Sequence, residues 1–278
     1  MIQDYQTNMV YLAKGLKYYK PVYTNLLKAL EKEGIPFGFL PGTESKKHIW
    51  ARDYMPIQIN GNSYLRYVYS PDYLKGYEEY IPNYQSIDKE LHLNCNCTEI
   101  VIDGGNVIKC GNKILITDKI ITENSARNKK NELLATLEKL LEAEVVLIPW
   151  DRYDLYGHAD GMVRYIEGNR VLLNNYVDFD QYLRKRLLDA LTPHFEVEEL
   201  HYDTPRPNKY SWSYINFLQT EKCIFVPGLR IKEDNLAIEQ IQSLYPNHKV
   251  LRIDDCQDLV RDGGALNCIS WNIYFNTI

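Results

Sequence analysis

Five places in the chain carry groups able to do chemistry, and each stands just ahead of a pair of short apolar segments. They are Trp50-Ala-Arg52-Asp53, Asp103-Gly-Gly-Asn106, Gly157-His158-Ala-Asp160-Gly161, Ser211-Trp212-Ser213-Tyr214-Ile-Asn216 and Asp262-Gly-Gly-Ala-Leu-Asn267-Cys268. If these places meet, a thiol, an imidazole and several carboxylates surround one point. That set suits attack on a guanidinium, which is planar, cationic and weakly electrophilic. Paired carboxylates in fork geometry must hold it while a strong nucleophile faces its central carbon. Asp53 and Asp160 suit the clamp. Cys268 suits the attack as a thiolate, its pKa lowered by a nearby cation, either protonated His158 or the bound guanidinium. His158 can then protonate departing ammonia and activate water.

Each residue also has an ordinary structural reading. Asp53 after Arg52 fits a surface ion pair of little energetic consequence. Asp103-Gly-Gly and Asp262-Gly-Gly fit turns at strand starts, where glycine supplies backbone conformations that other residues avoid. Cys268 fits a buried core thiol, and Trp50 and Trp212 fit core aromatics. The concentration of acids, histidine and cysteine at one recurring position is what favours chemistry.

The elements that must position these groups repeat. Paired strands are predicted for Tyr54–Asn60 with Ser63–Ser70, Gly105–Cys110 with Lys113–Ile120, Gly161–Ile166 with Arg170–Tyr176, Ser213–Gln219 with Lys222–Pro227, and Ala265–Ser270 with Asn272–Ile278. Turn formers such as Gly61-Asn62 and Gly111-Asn112 join the first four pairs; the fifth has only Trp271 between its halves. The pairs recur at roughly 50-residue intervals. Between them, helical patterns run into short strands: Val22–Lys32 then Ile35–Leu40, Tyr84–Leu93 then Glu99–Ile102, Asn131–Ala143 then Val145–Pro149, Phe179–Leu191 then Phe195–Leu200, and Asn235–Leu244 then Lys249–Ile253. Recurring hairpins impose antiparallel pairing inside each unit, which argues against a doubly wound parallel sheet. The expectation is an α/β fold of five units about a pseudo-fivefold axis, a five-bladed α/β propeller, in a single domain over residues 1–278.

The motifs Trp50-Ala-Arg-Asp53, Asp103-Gly-Gly-Asn, Gly157-His-Ala-Asp160-Gly-Met-Val-Arg, Ser213-Tyr-Ile-Asn-Phe with Phe225-Val-Pro, and Gly263-Gly-Ala-Leu-Asn-Cys268-Ile-Ser resemble, in order and phase, those of the agmatine deiminase and bacterial-type peptidylarginine deiminase family. That family belongs to the guanidino-group modifying enzymes of pentein fold. The resemblance implies that Cys268 forms a thiouronium intermediate, that His158 acts as general acid and then base, and that Asp53 and Asp160 bind the guanidinium. It makes Asp103 the third acid, in place of the family's usual Glu and one methylene shorter. It also implies substrate contacts for Trp50, Arg52, Asn106, Trp212 and Asn267. Asn267 and Ser270 stand where the family often has His and Thr.

A mean hydropathy of -0.39, with 45% hydrophobic and 25% charged residues, fits an ordinary globular protein. No apolar run is long enough to span a membrane and no secretory signal is apparent, so a cytoplasmic location is expected. A net charge of -5 gives no basic footprint for nucleic acid. The six scattered cysteines read as reduced thiols, and Cys95-Asn-Cys97 is a poor zinc site. No metal or cofactor is expected. The partner expected is a small cationic guanidino compound or a peptidyl arginine, and the oligomeric state, homodimer included, stays open. Arg127, Arg164, Arg206 and Lys209 are candidates for meeting a substrate carboxylate. Amidino transfer to an amine and a catalytically silent binding module are the competing functions.

Overall fold

In the computed structural model, which describes residues 1–125, 129–203 and 208–276, the repeats become five three-stranded sheets. Four are continuous in sequence: β3 (Ile57–Asn60), β4 (Ser63–Val68) and β5 (Cys95–Val101); β6 (Ile108–Cys110), β7 (Lys113–Thr117) and β8 (Glu144–Ile148); β9 (Val163–Glu167), β10 (Arg170–Leu173) and β11 (Glu196–Glu199); β12 (Leu218–Gln219), β13 (Cys223–Pro227) and β14 (Lys249–Ile253). The fifth joins β1 (Met9–Ala13) and β2 (Phe37–Leu40) to β15 (Ser270–Ile273). In every sheet the middle strand runs antiparallel to the axial strand and parallel to the third. A tight turn can make only the first pairing, whereas the parallel return needs a crossover, supplied in each unit by the intervening helical segment. The fold is a five-bladed α/β propeller, as expected.

One prediction fails. Ala265–Ser270 does not pair with residues 272–276, the described part of the strand expected over Asn272–Ile278. Leu266 to Ile269 form a turn, and Ser270–Ile273 is one strand whose partner is β1, with Met9 opposite Ile273 and Leu12 opposite Ser270. A lone Trp271 cannot reverse the chain, and the missing partner is Met9–Ala13, a strand absent from the sequence prediction. The fifth blade is thus shared by the two ends of the chain.

The blade helices bury narrow stripes at i, i+4 and i+8. Lys20–Lys32 buries Val22, Leu26 and Leu30; Lys130–Leu141 buries Leu133, Leu137 and Leu141; Gln181–Leu191 buries Leu183, Leu187 and Leu191. Asp180 caps the last of these by accepting from the Tyr182 and Leu183 N–H groups. Fully burying one such leucine stabilises the fold by about 1.5–3 kcal/mol. No helix of the described residues is long and apolar enough to cross a membrane.

Along the axis the blades are tied by polar groups. Thr7 accepts from the Asn272 amide at 2.8 Å, and Asn272 also donates to the Gln219 carbonyl at 2.9 Å. Asp4 pairs with Lys109 of β6 at 2.7 Å and Arg164 of β9 at 3.0 Å. Burial would raise the Asp4 pKa, but the Lys109, Arg164 and Arg52 cations overcome it and hold the carboxyl well below its ordinary range.

Candidate active site

Four of the axial strands start later than the apolar pattern predicts, because each blade mouth is a single helical turn: Ala51–Tyr54, Gly104–Asn106, Ala159–Gly161 and Ser211–Ile215. The turn over Leu266 to Ile269 plays the same part before β15. These turns bring Asp53, Asp103, His158, Asp160 and Cys268 together, all buried.

His158 sits between two acids. Its Nε2 is 2.8 Å from Asp103 Oδ2 and its Nδ1 is 3.5 Å from Asp53 Oδ1. Burial works against protonation of this ring, but Asp53 and Asp103 outweigh it and push the pKa up to about 10. His158 is therefore an imidazolium at neutral pH, its Nε2 donating to Asp103 and its Nδ1 facing Asp53. For Asp53, burial dominates; with repulsion from Asp103 and Asp160 it exceeds the pull of His158, and the carboxyl rises to about 7. Asp160 Oδ2 accepts from Asn267 Nδ2 at 2.7 Å and lies 3.6 Å from Cys268 Sγ. Burial, then Asp160 and Asp53, push the Cys268 thiol well above its ordinary pKa, so the protein by itself holds a thiol rather than a thiolate.

Backbone geometry is what lets these groups converge. A Cβ on Gly105 would lie 2.7 Å from Asp53 Oδ1, 2.9 Å from His158 Nδ1 and 3.3 Å from Asp160 Oδ2, so the close approach of three side chains requires glycine there. Gly157 has φ +66, and its N–H is held by Asp154 Oδ2 at 2.9 Å while its carbonyl accepts from Thr117 Oγ1 at 2.8 Å. That fixes His158 at the tip of its turn. Lys119, buried, donates to the Tyr156 carbonyl at 2.8 Å and lies 4.6 Å from the Tyr73 ring, which stacks edge-on against Tyr156.

Two cavities meet at this cluster, both bounded by Tyr156, His158, Gly263 and Cys268. The first, of about 530 Å³, runs past Trp50, Asp53 and Tyr73 to a mouth at Lys46 and Lys47. Those lysines are already paired, Lys46 with Asp262 and Lys47 with Glu79, each at 3.0 Å. The second, of about 500 Å³, runs past Asp160 and Trp212 between Asp151, Asp154 and Asp180, with Lys209 as the basic side chain on its wall.

Trp50 and Trp212 thus line the cavities, one each. Asp103 reaches the site through His158. Arg52, Asn106 and Asn267, expected as substrate contacts, border neither cavity. Arg52 bonds Asn272 Oδ1 and the Asn267 carbonyl, Asn106 accepts from Thr117 N–H at 3.0 Å, and Asn267 orients Asp160. Buried planar side chains near a site serve its scaffold as readily as its ligand. Arg164 is likewise committed to Asp4, while Arg127 and Arg206 lie outside the described residues. Sequence reasoning gave no role to Asn216, whose Oδ1 accepts from Cys268 N–H at 3.3 Å and whose amide donates to the Asp160 carbonyl at 3.4 Å. Its place at the fourth blade mouth was the available signal. Among the described residues no group of three or more His, Cys, Asp or Glu side chains is disposed to hold a metal ion.

A five-bladed α/β propeller with a thiol, an imidazolium and three carboxyl groups at its blade mouths is a protein of pentein architecture. The chain belongs to the Porphyromonas-type peptidyl-arginine deiminase family, whose model matches residues 2–273. It is 26% identical over 210 residues to the agmatine deiminase of Medicago truncatula, an alignment covering 62% of this chain and 56% of that protein. The chain therefore matches just over half the length of its curated relatives. In fold it is similar to the C. jejuni agmatine deiminase, with a TM-score of 0.78 at 16% identity over 99% of this chain and 95% of the other. The dimethylarginine-hydrolase structure "DDAH" from Pseudomonas aeruginosa follows at a TM-score of 0.63 and 14% identity, over 96% of this chain and 100% of the other.

Proposed function

We propose that this protein, acting as one catalytic unit, is a guanidine deiminase that converts agmatine to its ureido product and ammonia. The observation that carries this is the Asp160 carboxylate 3.6 Å from Cys268 Sγ, opposite an imidazolium held by Asp53 and Asp103. A guanidinium entering between Asp53 and Asp160 compensates the charges that oppose thiolate formation. Cys268 then releases its proton to solvent, and the thiolate left behind is paired with the guanidinium and the His158 imidazolium. The sulfur attacks the central carbon and a C–S bond forms. His158 gives its proton to the leaving nitrogen, which departs as ammonia and leaves the thiouronium. Neutral His158 next takes a proton from water, whose oxygen attacks the same carbon; the C–S bond breaks and the ureido product leaves.

Agmatine is favoured over free arginine by the second cavity, where Asp151, Asp154 and Asp180 outnumber Lys209 and suit an amine better than a carboxylate. The six free thiols agree with a cytoplasmic setting. Agmatine, arginine and short arginine peptides assayed for ureido product and ammonia test the reading. Agmatine should lead in kcat/KM by at least about tenfold. A lead for peptides would replace the substrate, and turnover only with an added amine would replace hydrolysis with transfer. Failure of a haloacetamidine to label Cys268 would remove the covalent step.

A further inference from the structure

The charges along the axis below the thiol are left unused by this chemistry, and they do not balance. Asp4 faces Lys109 and Arg164, whose side chains are buried, and Arg52 lies in the same cluster. Arg52 donates to two neutral oxygens, Asn272 Oδ1 and the Asn267 carbonyl, and among the described residues no carboxylate is within ion-pair distance of it. Three cations thus share one carboxylate. Burial lowers the Lys109 pKa, and Arg52 and Arg164 add to that against the pull of Asp4, so the excess positive charge is felt at the ammonium. Arg52, Lys109, Gln58 and Asn272 border a small cavity whose other walls include Ile57 and Val107. It has room for a single water-sized occupant.

We propose that this cavity is an anion site for one chloride-sized monovalent anion, with Arg52 and Lys109 as its charged donors. A water molecule would fill the space but leave Arg52 without a counter-ion in a medium of low polarity, where unpaired charge is costly. Sulfate and gluconate are too large. The site lies one backbone layer beneath the nucleophile, since Arg52 N–H donates to the Cys268 carbonyl at 3.0 Å, yet its side-chain walls are distinct from both active-site cavities.

The test uses the whole chain. Crystals grown in bromide should show an anomalous peak within hydrogen-bond distance of Arg52 and Lys109. In solution, chloride or bromide should raise Tm by roughly 2–4 °C over gluconate at equal ionic strength, saturating with concentration. Lys109→Met should abolish that difference. A peak with no halide effect on Tm would mean binding at crystal concentration only and would overturn the proposal, as would water density in the wild-type cavity. Because wild-type crystals suffice for the first arm, a variant that fails to fold leaves the proposal open to refutation.

Discussion

The two levels of the propeller axis bury charge in opposite ways. At the blade mouths, Asp53, Asp103 and Asp160 face one imidazolium, so negative charge is in excess around a thiol. Further along the axis, Lys109 of β6 and Arg164 of β9 pair with Asp4, and Arg52, from the first blade-mouth turn, adds a third cation, so positive charge is in excess. In three of the blades an acid and a cation stand a few residues apart, Asp53 with Arg52, Asp103 with Lys109 and Asp160 with Arg164. The difference lies in access: Asp53 and Asp160 border cavities large enough for a substrate, whereas Arg52 and Lys109 border room for one small ion. Uncompensated charge beside a large opening selects a ligand, and beside a small one it becomes part of the scaffold.

That contrast can be broken by substitutions that move activity at one level and stability at the other. Cys268→Ala carries the largest expected effect, a loss of at least about a thousandfold in ureido formation with an unchanged denaturation midpoint. Appreciable residual product would reject covalent catalysis here. Asp4→Ala should act in the opposite sense. It leaves Lys109 and Arg164 unpaired and should cost about 3–5 kcal/mol in urea denaturation, whereas kcat of the folded fraction should change little. A stable Asp4→Ala protein with impaired turnover would merge the two levels. Gly105→Ala should lower kcat/KM by about a hundredfold, because the new Cβ separates Asp53 from His158. Retained activity in this variant would show that the close approach is dispensable.

The pH profile offers the gentlest test. With Asp53 at about 7 and His158 at about 10, kcat/KM should climb up to tenfold per unit below about pH 7 and decline above about pH 10. Stability should fall with rising pH through both windows. The Asp53 carboxyl is raised from its ordinary 3.8, so the native state retains a proton the unfolded state has lost, and this group's contribution falls as pH rises from about 4 through about 7. His158 is raised from 6.5, so its contribution is complete below that value and is lost as pH rises through about 10. Urea midpoints of Asp53→Asn against wild type should diverge in the variant's favour across the lower window; constant separation would argue that Asp53 is ionised throughout.

Much of this was legible before any coordinates. Lys249–Ile253 forms a strand over the very residues its apolar pattern marked, and the four hairpins with turn formers all pair. The fifth was unreadable because its hydrogen bonds join segments at opposite ends of the chain, and no local pattern reports such pairing. At the site, acids, histidine and cysteine could be found by type and phase. Arg52, Asn106 and Asn267 could not be sorted from true wall residues, because the direction of a side chain leaving a single helical turn depends on tertiary contacts. Asn216 was marked at its blade mouth but given no role for the same reason: an amide looks inert until its Oδ1 is seen holding the Cys268 N–H.

The blade built from both chain ends sets an order on synthesis. As the polypeptide leaves the ribosome, β1 emerges among the first residues and must wait for β15 through the making of four other blades. The imidazole and its flanking acids are in place before the sulfur is translated. The sulfur thus enters the chain together with the strand that closes the ring, since Cys268 stands just ahead of β15.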